Sequence, residues 1–342
     1  MNKLHKAYGL IKKMLTETWQ LSKNYAVSYA LHNLLWWICF YARPPFAHRL
    51  STYAIKKKTA WLDQYIEKNY DDIISQFKTN LPKEEEAEDN KRIWVFWYQG
   101  EEQMPPLIKA CYTQLTKHNN NVTLITKDNL RQYIQLPDII YKKAEKGTIK
   151  LANFSDIVRH TLLDAYGGLW IDATVWVPYA IPFEKMVCHP IFTANCKYEG
   201  SDRSIRFWTT FEWNWSTWCL WSRGKHYPLY AFVSKMLQTI AIREKCWPDY
   251  VAMDYIIYYA CRKFNSIGDD MEKIPLKNPL RNELANRMNQ PFNKKDYEDL
   301  VKNECFFKLS FRTDWQKSTK DGSLTYYGFL LSQNNQQSNY SS

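Results

Sequence analysis

Asp156 and Arg159 stand three residues apart in Leu151 to Tyr166, a segment with apolar residues at helical spacing. Residues three apart on a helix share a face, so this one offers a carboxylate and a guanidinium to a single ligand. Asp172 then interrupts the apolar run from Leu169 to Val177. A bare carboxylate is costly to bury unless it is paired, hydrogen-bonded or bound to a metal. Asp172 and Thr174 are two apart on a strand, so both point to one face while Ile171 and Ala173 point into the sheet. A carboxylate at a strand end suits a hard divalent cation shared with a nucleotide diphosphate, and open α/β sheets bind ligands at such strand ends. A plainer reading fits the same residues: Asp156 and Arg159 as a surface ion pair, and Asp172 as the cap of a turn.

These residues need elements to position them. Ile93 to Tyr98 is a short apolar run of strand type, closed by Gly100. Pro105-Pro106 opens a helix that runs to about His118, and Val122 to Thr126 reads as the next strand. Helical patterns follow at Asn129–Ile134, Pro137–Lys146 and Leu151–Tyr166. Gly167-Gly168 stops the last of these and leads into a strand over Leu169–Val177. Strand, helix, strand, helices, strand is the alternation of an α/β domain with a largely parallel sheet. We assign that domain to residues 92–331. Residues 1–82 read as helices broken at Pro44-Pro45, with Trp61 to Phe77 amphipathic, and residues 83–91 as a charged linker. The polar residues 332–342 read as a disordered tail.

Charge narrows the partners. The chain of 342 residues carries a formal +11, yet residues 1–60 alone hold +9, leaving the body near neutral. A nucleic-acid surface would spread positive charge over the body, so no nucleic acid is expected. Within the basic segment, Tyr25 to Ala42 is apolar and aromatic, with Leu34, Leu35, Trp36, Trp37, Ile38 and Phe40. It is short for a membrane span and is interrupted by Ser28, His32 and Asn33. Lysines beside such aromatics suit association with an anionic membrane surface through residues 1–60. A helical cap packed on the body is the plainer reading. No cleavable signal follows the apolar stretch. Eight cysteines without a CxxC pair point to reduced thiols rather than to a disulfide scaffold or structural zinc, hence to a cytoplasmic protein. Aromatic residues, at 16% of the chain, serve either a core or the stacking of flat ligands.

Arg92 to Gly100 (RIWVFWYQG), Ser155 to Arg159 (SDIVR) and Tyr166 to Thr174 (YGGLWIDAT), in that order, resemble the capsular polysaccharide synthesis glycosyltransferases. That group is similar to the mannosyltransferases of the yeast Golgi and to the glucosylating clostridial toxins. The resemblance covers roughly Arg92 to Arg312. It implies a GT-A fold, an α/β sandwich that binds a nucleotide-sugar and transfers the glycosyl unit with retention, usually with Mn²⁺ or Mg²⁺.

Carried onto this chain, the resemblance makes Trp97 the aromatic that stacks on the base. Asp156 becomes the acid at the ribose and donor sugar, and Arg159 a donor-binding cation. Ser155 and Trp170 lie in the same motifs and are expected to bind the nucleotide-sugar as well. Asp172 matches the first Asp of the metal motif, and Thr174 stands where the wider group has the second. The capsule branch commonly reads Asp-Ala-Thr here. A hydroxyl is a weaker cation ligand than a carboxylate, so Thr174 serves the metal through water or binds the donor sugar instead. Asn214-Trp215-Ser216 resembles the strand lining the acceptor side. Asp249-Tyr250 and then Asp254 match an element that sets a carboxylate, here Asp254, near the anomeric centre. Phe306 to Ser310 resembles the closing segment, with Lys308 on the diphosphate and Ser310 on the metal. The expected function is transfer from a nucleotide-sugar, most simply a UDP-sugar, to a lipid-linked growing polysaccharide at the inner membrane face. The alternative is a degenerate transferase fold that binds sugar or a partner in polysaccharide assembly.

Overall fold

The computed structural model describes residues 3–194, 215–274, 278 and 280–335. Three helices come first: α1 (Lys3–Asn24), α2 (Val27–Ala42) and α3 (Ala47–Asn69). The turn between α2 and α3 holds Pro44-Pro45, as the sequence predicts. The amphipathic stretch is divided at Tyr70, where α4 (Asp71–Thr79) begins.

The α/β body follows with β1 (Glu85–Glu86), β2 (Ile93–Phe96), α5 (Pro106–His118), β3 (Val122–Ile125), α6 (Leu130–Tyr133) and α7 (Asp138–Glu145). Next come α8 (Leu151–Tyr166), β4 (Gly168–Ile171), β5 (Val175–Trp176), β6 (Ile191–Thr193), β7 (Cys219–Ser222) and β8 (Gly224–Lys225). The chain continues with α9 (Pro228–Arg243), α10 (Ala252–Lys263), α11 (Asn265–Glu272), α12 (Glu283–Arg287), α13 (Lys294–Asn303), β9 (Phe307–Lys308) and α14 (Tyr326–Asn335).

The main sheet has five strands in the order β3-β2-β4-β7-β6. β2 is parallel to both β3 and β4, while β7 runs antiparallel to β4 and β6. The architecture is therefore mixed α/β with a mixed sheet. Trp94, Trp170 and Trp221 are fully buried within it, and Trp176 lies in a second core that α12, α13 and α14 build against α5. Much of the aromatic content is thus core.

Three expectations need correction. The strand drawn from Leu169 to Val177 is two strands. β4 ends at Ile171, the chain turns through Asp172–Thr174, and β5 leaves the main sheet to pair with β9. The supposed linker contains β1, which pairs with β8, and Arg223 grips Glu84 through two hydrogen bonds of 3.1 and 2.6 Å. α14 carries regular structure to Asn335, four residues into the expected tail. Residues 336–342 of that tail, and Asn214 of the acceptor-side element, lie outside the described residues.

The N-terminal helices are tied to the body. Lys58 and Asp249 form an ion pair of 2.5 Å with both side chains almost fully buried. Asn33 accepts from Lys58 at 2.7 Å, and Tyr29 donates to Asp249. Arg262 pairs with Asp63, and Lys263 with Glu67. Removing one partner of a buried pair strands the other, at a cost of about 3–5 kcal/mol. Among the described residues no helix is long and apolar enough to cross a membrane, and the seven described cysteines are unpaired.

Candidate functional site

A cleft of about 460 Å³ opens at the carboxyl ends of β2 and β4. Gly168 sets how closely β4 approaches β2 below it. Gly168 has φ +86°, and a Cβ there would lie 2.6 Å from the Arg92 carbonyl oxygen. Leu169 donates to that same oxygen at 2.8 Å, so the close approach sets the parallel register of β2 and β4.

The centre of the cleft is Asp172, in the turn after β4. Its Oδ1 accepts from an Arg159 guanidinium nitrogen and from Trp170 Nε1, both at 3.0 Å. Its Oδ2 accepts from Lys308 Nζ at 2.6 Å. Burial would raise the Asp172 carboxyl. The neighbouring Lys308 and Arg159 charges and the hydrogen bonds from Lys308 and Trp170 outweigh burial and hold it at about 2. Thr174 Oγ1 accepts from the same Lys308 ammonium at 2.8 Å. Asp172 and Thr174 therefore do act together, but across a turn and through Lys308 rather than as alternate residues of one strand.

Arg159 spans two carboxylates. One nitrogen lies 3.2 Å from Asp156 Oδ1, one turn earlier on α8, and another reaches Asp172. Its guanidinium sits 4.9 Å from the Trp170 ring centroid. Trp170 itself is almost wholly buried, so it holds Arg159 and Asp172 in place more than it offers a binding surface. Ser155 lies half-buried on the wall beside Asp156.

Asp254 lines the opposite wall in the first turn of α10. Burial pushes its carboxyl up to about 7, with Arg159 opposing and Asp249 adding to the rise. Burial likewise lifts Asp156 to about 7, against Arg159 and with Asp254 and Asp172 contributing. Asp156 and Asp172 thus pair with Arg159, Lys308 pairs with Asp172 alone, and burial raises Asp156 and Asp254 to titrate near neutral pH. Asp249, by contrast, turns away to Lys58.

Trp97 forms the outer lip just after β2. Its indole donates to the Gln103 carbonyl at 3.3 Å, and the Phe311 ring meets it edge-on at 5.7 Å. Phe311 and Arg312 both line the cleft, just beyond the Phe306 to Ser310 segment to which the sequence assigns site residues. The aromatic-then-cation pair directly after Lys308-Leu309-Ser310 was the available signal. Ser310 is not on the cleft wall; its hydroxyl accepts from the Arg312 backbone at 3.3 Å.

The expected divalent cation can be tested against this arrangement. Such an ion takes six or more oxygen ligands. Asp172 and Thr174 supply one carboxylate and one hydroxyl, and the space between them holds the Lys308 ammonium. Among the described residues no group of three His, Cys, Asp or Glu side chains is placed to hold a metal. As they stand, Asp172 and Thr174 are both taken up by Lys308, and a divalent ion placed there would draw most of its oxygens from the donor diphosphate and water.

Comparison with known proteins bears on the whole chain. The family described as capsular polysaccharide synthesis protein matches residues 44–330, most of the sequence. The chain belongs to that family. The match begins at the Pro44-Pro45 turn, so α1 and α2 precede it, and it includes every cleft residue named above. Among solved structures, the capsular polysaccharide synthesis chain is similar to the PaToxG glycosyltransferase. The identity is 14% and the TM-score 0.36, over 65% of this chain and 83% of that one. No curated protein matches the chain.

Proposed function

We propose that this member of the capsular polysaccharide synthesis family is a glycosyltransferase with a GT-A-type donor site. It moves a sugar from a nucleotide-sugar, most simply a UDP-sugar, to a lipid-linked growing polysaccharide, with retention. One observation carries the reading: an aromatic lip, the cations Arg159 and Arg312 and three carboxylates line one cleft at the strand ends of an α/β sheet, with Lys308 bonded from behind to Asp172 and Thr174 of its wall. Each part suits a portion of such a donor. Trp97, with Phe311 at its edge, offers a face for the base. Arg159, Lys308 and Arg312 match the diphosphate, and Asp156 and Asp254 offer oxygens to ribose and sugar hydroxyls.

The chemistry is electrostatic. The bond from the anomeric carbon to the diphosphate oxygen breaks, and its electron pair leaves with the diphosphate. The acceptor hydroxyl oxygen forms the new bond on the same face, and its proton passes to the departing phosphate. Fixed cations beside the leaving oxygens stabilise the charge that gathers there. Asp254, held near half-protonation at pH 7, can donate a hydrogen bond to the transferred sugar or accept one from it.

Nucleotide release from a panel of UDP- and GDP-sugars tests the reading. Hydrolysis or transfer with one donor, reduced roughly a hundredfold in Asp172→Ala, is the expected outcome, because Asp172 holds Arg159 and Lys308 in place and misplacing such fixed charges costs on the order of 10² in rate. Activity that survives Asp172→Ala and Arg159→Ala alike would sink it.

A further inference from the structure

Lys308 occupies a position that its backbone defines. β9 pairs with β5 so that Lys308 faces Val175, Leu309 donates to the Thr174 carbonyl at 3.0 Å, and Lys308 donates to the Arg281 carbonyl at 2.8 Å. The residue that carries the ammonium is thus stitched to the segment that carries its partners. The ammonium then sits between Asp172 Oδ2 at 2.6 Å and Thr174 Oγ1 at 2.8 Å, with the Trp218 ring centroid 5.8 Å away. Arg159 takes Oδ1 of Asp172 and Lys308 takes Oδ2, so both oxygens of that carboxylate already face a fixed positive charge. Three ammonium protons serve two protein oxygens and leave one donor to spare for a ligand.

We infer that Lys308 is the resident cation of this cleft: it takes the place of a divalent ion between Asp172 and Thr174, presents its free proton to the donor's diphosphate, and makes diphosphate binding independent of metal. The inference rests on the cleft being a nucleotide-sugar site, as proposed above.

The test is calorimetric titration of UDP and GDP into the whole chain, in EDTA and then with Mn²⁺ or Mg²⁺. One nucleotide should bind with the same affinity, within about twofold, in all three buffers. Lys308→Ala should weaken it roughly tenfold or more, as loss of a charge-assisted hydrogen bond does, and Lys308→Arg should keep most of it. Circular dichroism checks the fold of each variant, and the buffer comparison needs no variant. Binding that falls tenfold in EDTA and returns with Mn²⁺ overturns the inference while leaving the donor site standing. Undiminished binding by a folded Lys308→Ala overturns it as well. If neither nucleotide binds in any buffer, the donor-site reading falls and the inference with it.

Discussion

Asp254 and Asp156 are the residues at which electrostatics and stability meet. Each has its carboxyl raised from an ordinary 3.8 to about 7, first by burial. Between those values the folded chain holds protons that the unfolded chain has lost. Stability therefore falls as pH rises through that window, and the penalty is complete above it. Asp254→Asn removes the charge and keeps the shape. It should raise the melting temperature by about 2 °C at pH 8, corresponding to roughly 1 kcal/mol after allowance for partial exposure. The gain should vanish near pH 3.5, where both forms are neutral. Equal melting shifts at the two pH values would refute a raised Asp254. Sequence spacing brought Asp156 and Arg159 to one helix face, and the structure joins them at 3.2 Å. It had no means of showing that Arg159 also reaches Asp172, because that contact depends on where β4 ends.

At the scale of elements, the helices were the legible part. α5 starts at a Pro106 placed at the first helical position and α8 stops at Gly167, as the sequence rules require. The strand from Leu169 to Val177 misled, because a continuous apolar run reads alike whether it stays in one sheet or changes sheets. Thr174 was set beside Asp172 by strand alternation, yet the turn and β9 bring the two together. Lys308 lies 136 residues from Asp172, and no local pattern encodes such a pairing. The Gly167-Gly168 turn is where the sequence signal and the tertiary constraint coincide. Gly168→Ala forces a Cβ against the Arg92 carbonyl at a backbone φ that L-residues avoid. It should cost about 2 kcal/mol or more, read as a lower urea midpoint, and weaken nucleotide binding by displacing Asp172 from Trp97. An unchanged midpoint would show that β2 and β4 tolerate a shifted register.

The whole molecule divides its positive charge from its proposed chemistry, and the N-terminal helices decide what that charge is for. Trp36 and Trp37, in the stretch read as suited either to a membrane surface or to a packed cap, are buried where α2 meets its neighbours. Packing thus absorbs part of the aromatic stretch. Other apolar residues remain outside: Tyr8, Ile11, Leu15 and Trp19 follow one another at three- and four-residue steps along α1, all more than half exposed. Cations sit over exposed aromatic rings nearby: Lys23 over Trp19, Arg49 over Phe46 and Lys57 over Tyr53. A stripe of exposed apolar residues flanked by lysines suits the plane of an anionic bilayer, where each basic residue contributes about 1 kcal/mol. Peripheral attachment at the inner membrane face would bring the cleft to a lipid-linked acceptor, and it needs no spanning helix. The chain should therefore co-sediment with vesicles containing anionic lipid and remain in solution with purely zwitterionic ones. Leu15→Asp with Trp19→Asp should abolish the co-sedimentation while leaving the buried Lys58–Asp249 tie and the nucleotide affinity intact. Raising salt to about 0.5 M, where the screening length is only a few ångströms, should weaken it strongly. Equal binding to neutral and anionic vesicles, or binding indifferent to both substitutions, would assign the basic helices to another partner.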